Sequence, residues 1–209
     1  MIDADFSPTQ GLKVGIDEGV QHPIHREGTQ VLYAFGFDRY GVVISDIYFV
    51  DPKPIKGQES PEHGVRLELR VLDRGELNGS IYSAQPIGVD QPVWRVDLLE
   101  SVDGTPGSFD RTHHHPAFSG WEPGPRKFVR ELSADPLGWL GAKLSDLPAV
   151  LEQAKVEPHE SDAADAEQLR AQVPEILDVV DRMLTGVRSG VLAVPPKDVD
   201  PNNARVGWL

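Results

Sequence analysis

The apolar residues of this 209-residue chain recur at two different periods, and the period changes once along the sequence. Between residues 31 and 99 they alternate, and from residue 137 onward they return every three or four positions. Alternation marks half-buried strands, and the longer spacing marks amphipathic helices. A chain that runs strands first and helices second is expected to fold as α+β, with the two sets of apolar faces buried against each other.

The clearest strand is Val65-Arg-Leu-Glu-Leu-Arg-Val71, where apolar and charged residues alternate strictly. Its charged set, Arg66, Glu68 and Arg70, is expected on a solvated face, or on the floor of a polar pocket if the sheet curls. Val31–Phe37 and Val42–Val50 flank the turn Asp38–Gly41 and read as a hairpin, with Tyr33, Phe35 and Phe37 as candidate core. Asp51-Pro-Lys-Pro54 stops the second strand, because proline cannot donate to a ladder, and residues 52–63 read as a polar loop. Ser80–Ala84, entered from the turn Asn78-Gly79, and Pro92–Leu99 complete the set. In the last strand Trp94, Val96 and Leu98 share one face and Arg95 and Asp97 the other, an exposed face carrying a same-side ion pair. The simplest assembly is an antiparallel β-meander of about five strands in the N-terminal half, packed against C-terminal helices.

Asp135 followed by Pro136 is a helix start, an N-cap with proline at the first helical position. Leu137, Leu140 and Leu144 keep helical spacing, and Ser145-Asp-Leu-Pro148 restarts a helix. From Ala163 to Val187 a long helix carries the stripe Leu169, Val173, Ile176, Leu177, Val180, Leu184 and Val187. Pro174 is expected to kink or divide it. Trp94 and Trp139 are the expected large contacts between sheet and helices. The organisation is thus an irregular N-terminal arm at 1–29 and a sheet region at 30–132 with a His-rich loop at 107–128. A helical region at 133–209 packs on that sheet, all in one domain. The last residues, Trp208 and Leu209, suggest a docked terminus.

Composition narrows the chemistry. There is no cysteine, which removes disulfides, thiolate metal sites and cysteine nucleophiles. The formal net charge of -13 repels phosphate backbones and argues against nucleic-acid binding, while leaving a protein partner open. No run of 18 apolar residues exists, and the first residues lack the basic and apolar regions of a signal peptide. The expectation is a cytoplasmic protein without a membrane segment. No phosphate-binding glycine loop, zinc-protease helix or nucleophile elbow is present.

The one place dense in chemistry is Gly107–Phe128, which contains His113, His114 and His115 in succession. On a strand, His113 and His115 would point one way and His114 the other. Paired histidines can hold zinc, iron or another divalent metal. A third ligand must come from elsewhere, with Glu122 the first choice and Asp97, Asp110, His63 or the His22/His25 pair as further candidates. Without metal, His113 or His115 can act as a general base near neutral pH, oriented by Asp97 or Asp110, with Arg95, Arg111 or Arg126 holding an anion. A third reading makes the three histidines a structural cap over the sheet.

Gly107-x5-His113-x-His115 resembles the opening of the first cupin motif, which implies a β-barrel and two histidine metal ligands from a strand. The pattern then departs: Glu122 follows too late, Pro116 interrupts, and no second cupin motif follows. Trp94-Arg-Val-Asp97 followed by His-His-Pro is similar to small toxin domains of the TumE type, which implies a toxin-like component of a toxin–antitoxin system. The functional expectations are therefore three. The first is a non-enzymatic binding or regulatory module with a structural His-rich loop. The second is a small metal-dependent or His-based enzyme, hydrolase- or oxygenase-like, using His113 and His115. The third is the toxin-like role.

Overall fold

The computed structural model describes residues 31–195 and 205–206. The arm at 1–29, with His22 and His25, and the Trp208-Leu209 terminus lie outside the described residues. Five strands form the main sheet: β1 (Leu32–Gly36), β2 (Tyr40–Phe49), β3 (Glu62–Arg74), β4 (Ile87–Ser101) and β5 (His113–His115). They pair antiparallel in sequence order, so the sheet is the expected meander. β6 (Phe118–Ser119) and β7 (Glu122–Pro123) form a small separate hairpin. Four helices follow, α1 (Arg130–Ala134), α2 (Pro136–Leu144), α3 (Leu147–Ala154) and α4 (Asp162–Arg188). A last strand, β8 (Arg205–Val206), pairs with β2 at Tyr48 and Phe49. No described helix is long and apolar enough to cross a membrane.

The helices pack on one face of the sheet. Val42 and Ile44 of β2, Val65, Leu67 and Leu69 of β3, and Trp94, Val96 and Leu98 of β4 share one core with Leu140, Leu144, Leu169, Ile176 and Val180. The Trp94 and Trp139 rings stack with centroids 6.1 Å apart, the sheet-to-helix contact expected. Asp135 caps α2 by accepting a hydrogen bond from Gly138 N at 3.0 Å, with Pro136 at the first position. Asp165, in the first turn of α4, is fully buried and accepts from the backbone N–H groups of Asp38, Arg39 and Tyr40. That carboxylate satisfies three turn donors at once and pins α4 to the β1–β2 turn.

The structure corrects several expectations. The fifth strand is the histidine triplet and not Ser80–Ala84, which lies in the connection between β3 and β4. Tyr33 is 38% exposed, because β1 sits at the end of the sheet beyond most of the helical cover. Pro174 does not divide α4, which runs unbroken for 27 residues. Buried Leu169 and Val173 before it and Ile176 and Val180 after it hold both halves on the same sheet face. The largest correction concerns the charged face. Arg66, Glu68, Arg70 and Asp97 are 8%, 0%, 6% and 1% exposed, so the face opposite the helices is polar but buried.

Candidate functional site

The polar face is built by register. β3 and β4 pair Arg66 with Asp97 and Glu68 with Arg95 across the ladder. Opposite charges directly across a strand pair attract, and here they are held away from bulk water. Arg66 grips Asp97 with two bonds, Nε to Oδ1 at 2.6 Å and Nη2 to Oδ2 at 3.1 Å. Arg95 Nε donates to Glu68 Oε1 at 2.6 Å, and Arg70 Nη1 donates to Glu68 Oε2 at 2.6 Å.

β5 extends this face by one strand. Asp97 lies opposite His113, and Arg95 lies opposite His115. On its other side, the backbone of His114 exchanges both hydrogen bonds with Lys127. The period-two expectation holds in space: His113 and His115 stand together, with ring centroids 5.0 Å apart. His114 turns to the core, 5.1 Å from the Trp139 ring and 6.3 Å from that of Trp94. Burial in this apolar setting lowers the pKa of His114 to about 4, with neighbouring Lys143 adding to the effect.

The chemistry of the pair follows from its hydrogen bonds. His113 Nδ1 lies 2.8 Å from Arg111 O, and His115 Nδ1 lies 2.6 Å from Gly124 O. A carbonyl oxygen can only accept, so each Nδ1 carries the proton and, in the neutral ring, each Nε2 presents a bare lone pair. Both lone pairs face the same oxygen: Asp97 Oδ2 is 3.4 Å from His113 Nε2 and 3.7 Å from His115 Nε2. The three donor atoms all lie within 4.8 Å of one another. Burial pushes the Asp97 carboxyl up, but the Arg66 guanidinium, the largest opposing cause, holds the group well below the usual carboxylate range. Burial lowers His115 to about 4, against the hydrogen bond to Gly124 and the nearby Asp97 charge. Three electron-rich atoms therefore converge on one point that a cation would fill.

They line a cavity of about 340 Å³, at the small end of the range for small-molecule sites. Its wall includes Glu62, Arg66, Arg95, Arg126, Phe49 and Trp121. Glu62 is 2% exposed, and its Oε2 has no hydrogen-bond partner. Burial raises its pKa against the pull of Arg126, whose Nη1 lies 3.4 Å from Oε1.

Of the residues named from sequence, His113, His115, Asp97 and Arg95 come together on this face. Glu122, the first choice as third ligand, lines the cavity from β7, but the convergent carboxylate is that of Asp97. Asp110 stands apart from the cavity. Its carboxylate accepts from Ser101 N at 2.9 Å, Ser101 Oγ at 2.8 Å and Ser108 Oγ at 3.0 Å, tying down the turn before β5. Glu62 was not singled out, because 52–63 reads as a loop, and Arg66 and Glu68 were expected first on a solvated face and only second on the floor of a polar pocket. A signal was present: Arg66/Glu68 and Asp97/Arg95 are opposite in sign, pair by pair, when the two strands are laid antiparallel. Comparison with protein-family models, curated proteins and solved structures returned no match.

Proposed function

We propose that this chain is a small metal-dependent hydrolase in which Asp97, His113 and His115 hold a divalent transition metal such as zinc or iron. The observation that carries this reading is the convergence of two Nε2 lone pairs on one carboxylate oxygen, each imidazole fixed by an Nδ1–H bond to a backbone carbonyl. Histidines that ligate metals characteristically donate their second N–H in this way, which sets the tautomer and the ring plane. Two histidines and one carboxylate suit zinc or ferrous iron and leave coordination positions open. Such an ion lowers the pKa of a bound water and polarises a substrate oxygen. Glu62, in the cavity wall with a raised pKa and an unpartnered oxygen, is the group to take a proton from water and return it to a leaving group. The buried histidines leave little imidazole surface for recognising a partner, which disfavours the binding-module expectation.

The test is elemental analysis of untagged protein purified without chelator, repeated after titration with Zn²⁺, Fe²⁺ and Mn²⁺. Near-stoichiometric metal that is lost in His113→Ala/His115→Ala and in Asp97→Ala supports the reading. Absence of metal under every condition overturns it. One observation favours a second reading: Arg66 already engages both oxygens of Asp97. There a proton replaces the metal, and His113 with Asp97 forms a metal-free acid–base pair.

A further inference from the structure

On the buried polar face one carboxylate serves two arginines. Among the described residues, Glu68 is the only carboxylate bonded to either Arg70 or Arg95, and it serves both. Two guanidiniums on one carboxylate leave a surplus of one positive charge in a place largely shielded from water. Arg70 does not line the cavity and is engaged elsewhere. Its Nε donates to Asp90 O at 2.7 Å, and its guanidinium lies 5.3 Å from the Trp121 ring centre. Arg95 is the member that lines the cavity. Its Nε is spent on Glu68, its guanidinium sits 5.0 Å from the Phe118 ring centre, and its two Nη groups make no hydrogen bond among the described residues. An arginine fork fixed at Nε, stacked on a ring and open at both Nη atoms is preorganised for a planar anion.

We infer that the cavity binds a small organic monocarboxylate, whose carboxylate seats on the Arg95 Nη groups beside the Asp97–His113–His115 cluster. The fork favours a carboxylate or a phosphate alike, and the surrounding charge selects between them. The surplus is a single positive charge, and Glu62 and Glu122 also line the cavity. A phosphate monoester carries about -1.5 to -2 charges near neutral pH and would meet those two carboxylates, with Arg126 already engaged by Glu62. A monocarboxylate neutralises the surplus and adds no excess. Arg95 lies directly across the ladder from His115, so a ligand seated there also reaches the convergent Nε2 atoms. In this respect the inference rests on the proposed hydrolase reading, since the neighbour it meets is the metal; the charge argument for Arg95 stands without it.

The experiment is titration of the protein with acetate, glycolate (a 2-hydroxycarboxylate) and inorganic phosphate, followed by ¹H–¹⁵N NMR, in chelator-treated and metal-loaded protein. Wild type, Arg95→Met and Arg95→Lys are compared, with metal content measured in each. Arg95→Met leaves Glu68 paired one-to-one with Arg70, so this variant is expected to fold and to keep its metal stoichiometry. Acetate and glycolate should bind wild type more tightly than phosphate does. Arg95→Met should weaken them about ten- to hundredfold, the worth of a charge-assisted bidentate contact. Arg95→Lys should restore only part of that loss, because it keeps the charge and loses the fork. Equal carboxylate affinity in wild type and Arg95→Met, tighter binding of phosphate, or no carboxylate binding would each overturn the inference. A wild type without metal whose carboxylate binding still depends on Arg95 would sink the metal reading alone.

Discussion

Asp97 is the residue on which most of the site turns, since Arg66 and both cavity histidines meet at its carboxylate. Asp97→Asn keeps the shape and removes the charge, leaving Arg66 in a buried place without its counter-ion. Loss of one partner of a buried pair costs about 3–5 kcal/mol, so the urea midpoint should fall by a corresponding amount, together with loss of bound metal. His114 gives a second test. Its folded-state pKa is about 4 against 6.5 unfolded, so between those values the unfolded chain binds more protons. Stability should therefore decline as pH falls from 6.5 to 4 and level off below. His114→Phe, which keeps the ring between Trp94 and Trp139 and removes a buried Nδ1 that lacks a partner, should make that decline shallower. Unfolding curves at pH 7 and pH 4.5 for both proteins decide it. At this scale the opposed directions of His113/His115 and His114 were legible, because a strand's period is a local property. Which carboxylate joins the histidine pair was narrowed to candidates that included Asp97, but not settled. It depends on which residue of β4 falls opposite His113, and nothing within the triplet encodes that register.

Among the elements, α4 carries its apolar stripe through Pro174, an exposed proline whose missing N–H removes one backbone hydrogen bond from the helix. Pro174→Ala should restore that bond, with a gain of roughly 1–3 kcal/mol in denaturant unfolding. An unchanged or lowered midpoint would overturn this expectation. The N-cap at Asp135, the restart at Pro148 and the stripe of α4 were all readable, since each is a short-range pattern. The misreading of the charged face has one cause. Alternation in β3 and β4 told correctly which residues share a face, but not whether a later segment would cover it. The residues after β5 place Phe118 on Arg95 and Trp121 on Arg70, hiding a charged face that reads as solvated.

On the scale of the whole molecule, the sheet separates two environments. One face is an apolar core shared with the helices, and the other is a buried bed of paired charges ending at the histidine strand. The chain is strongly acidic, yet on this bed Arg70 and Arg95 share the single carboxylate of Glu68. Ligand and metal binding there should register as global stability, because anything that binds only the folded state raises the unfolding free energy. Differential scanning calorimetry of metal-loaded against chelator-treated protein should show a Tm increase in wild type and none in His113→Ala/His115→Ala. The Nδ1 bonds of His113 and His115 reach out to Arg111 and Gly124, on opposite flanks of β5. An ion at the Nε2 atoms would then join Asp97 of one strand to both histidines of the next and, through those bonds, brace the backbone from 111 to 124. In a chain without a single cysteine, it would serve as the fold's removable staple, closing a loop that chelation could open again.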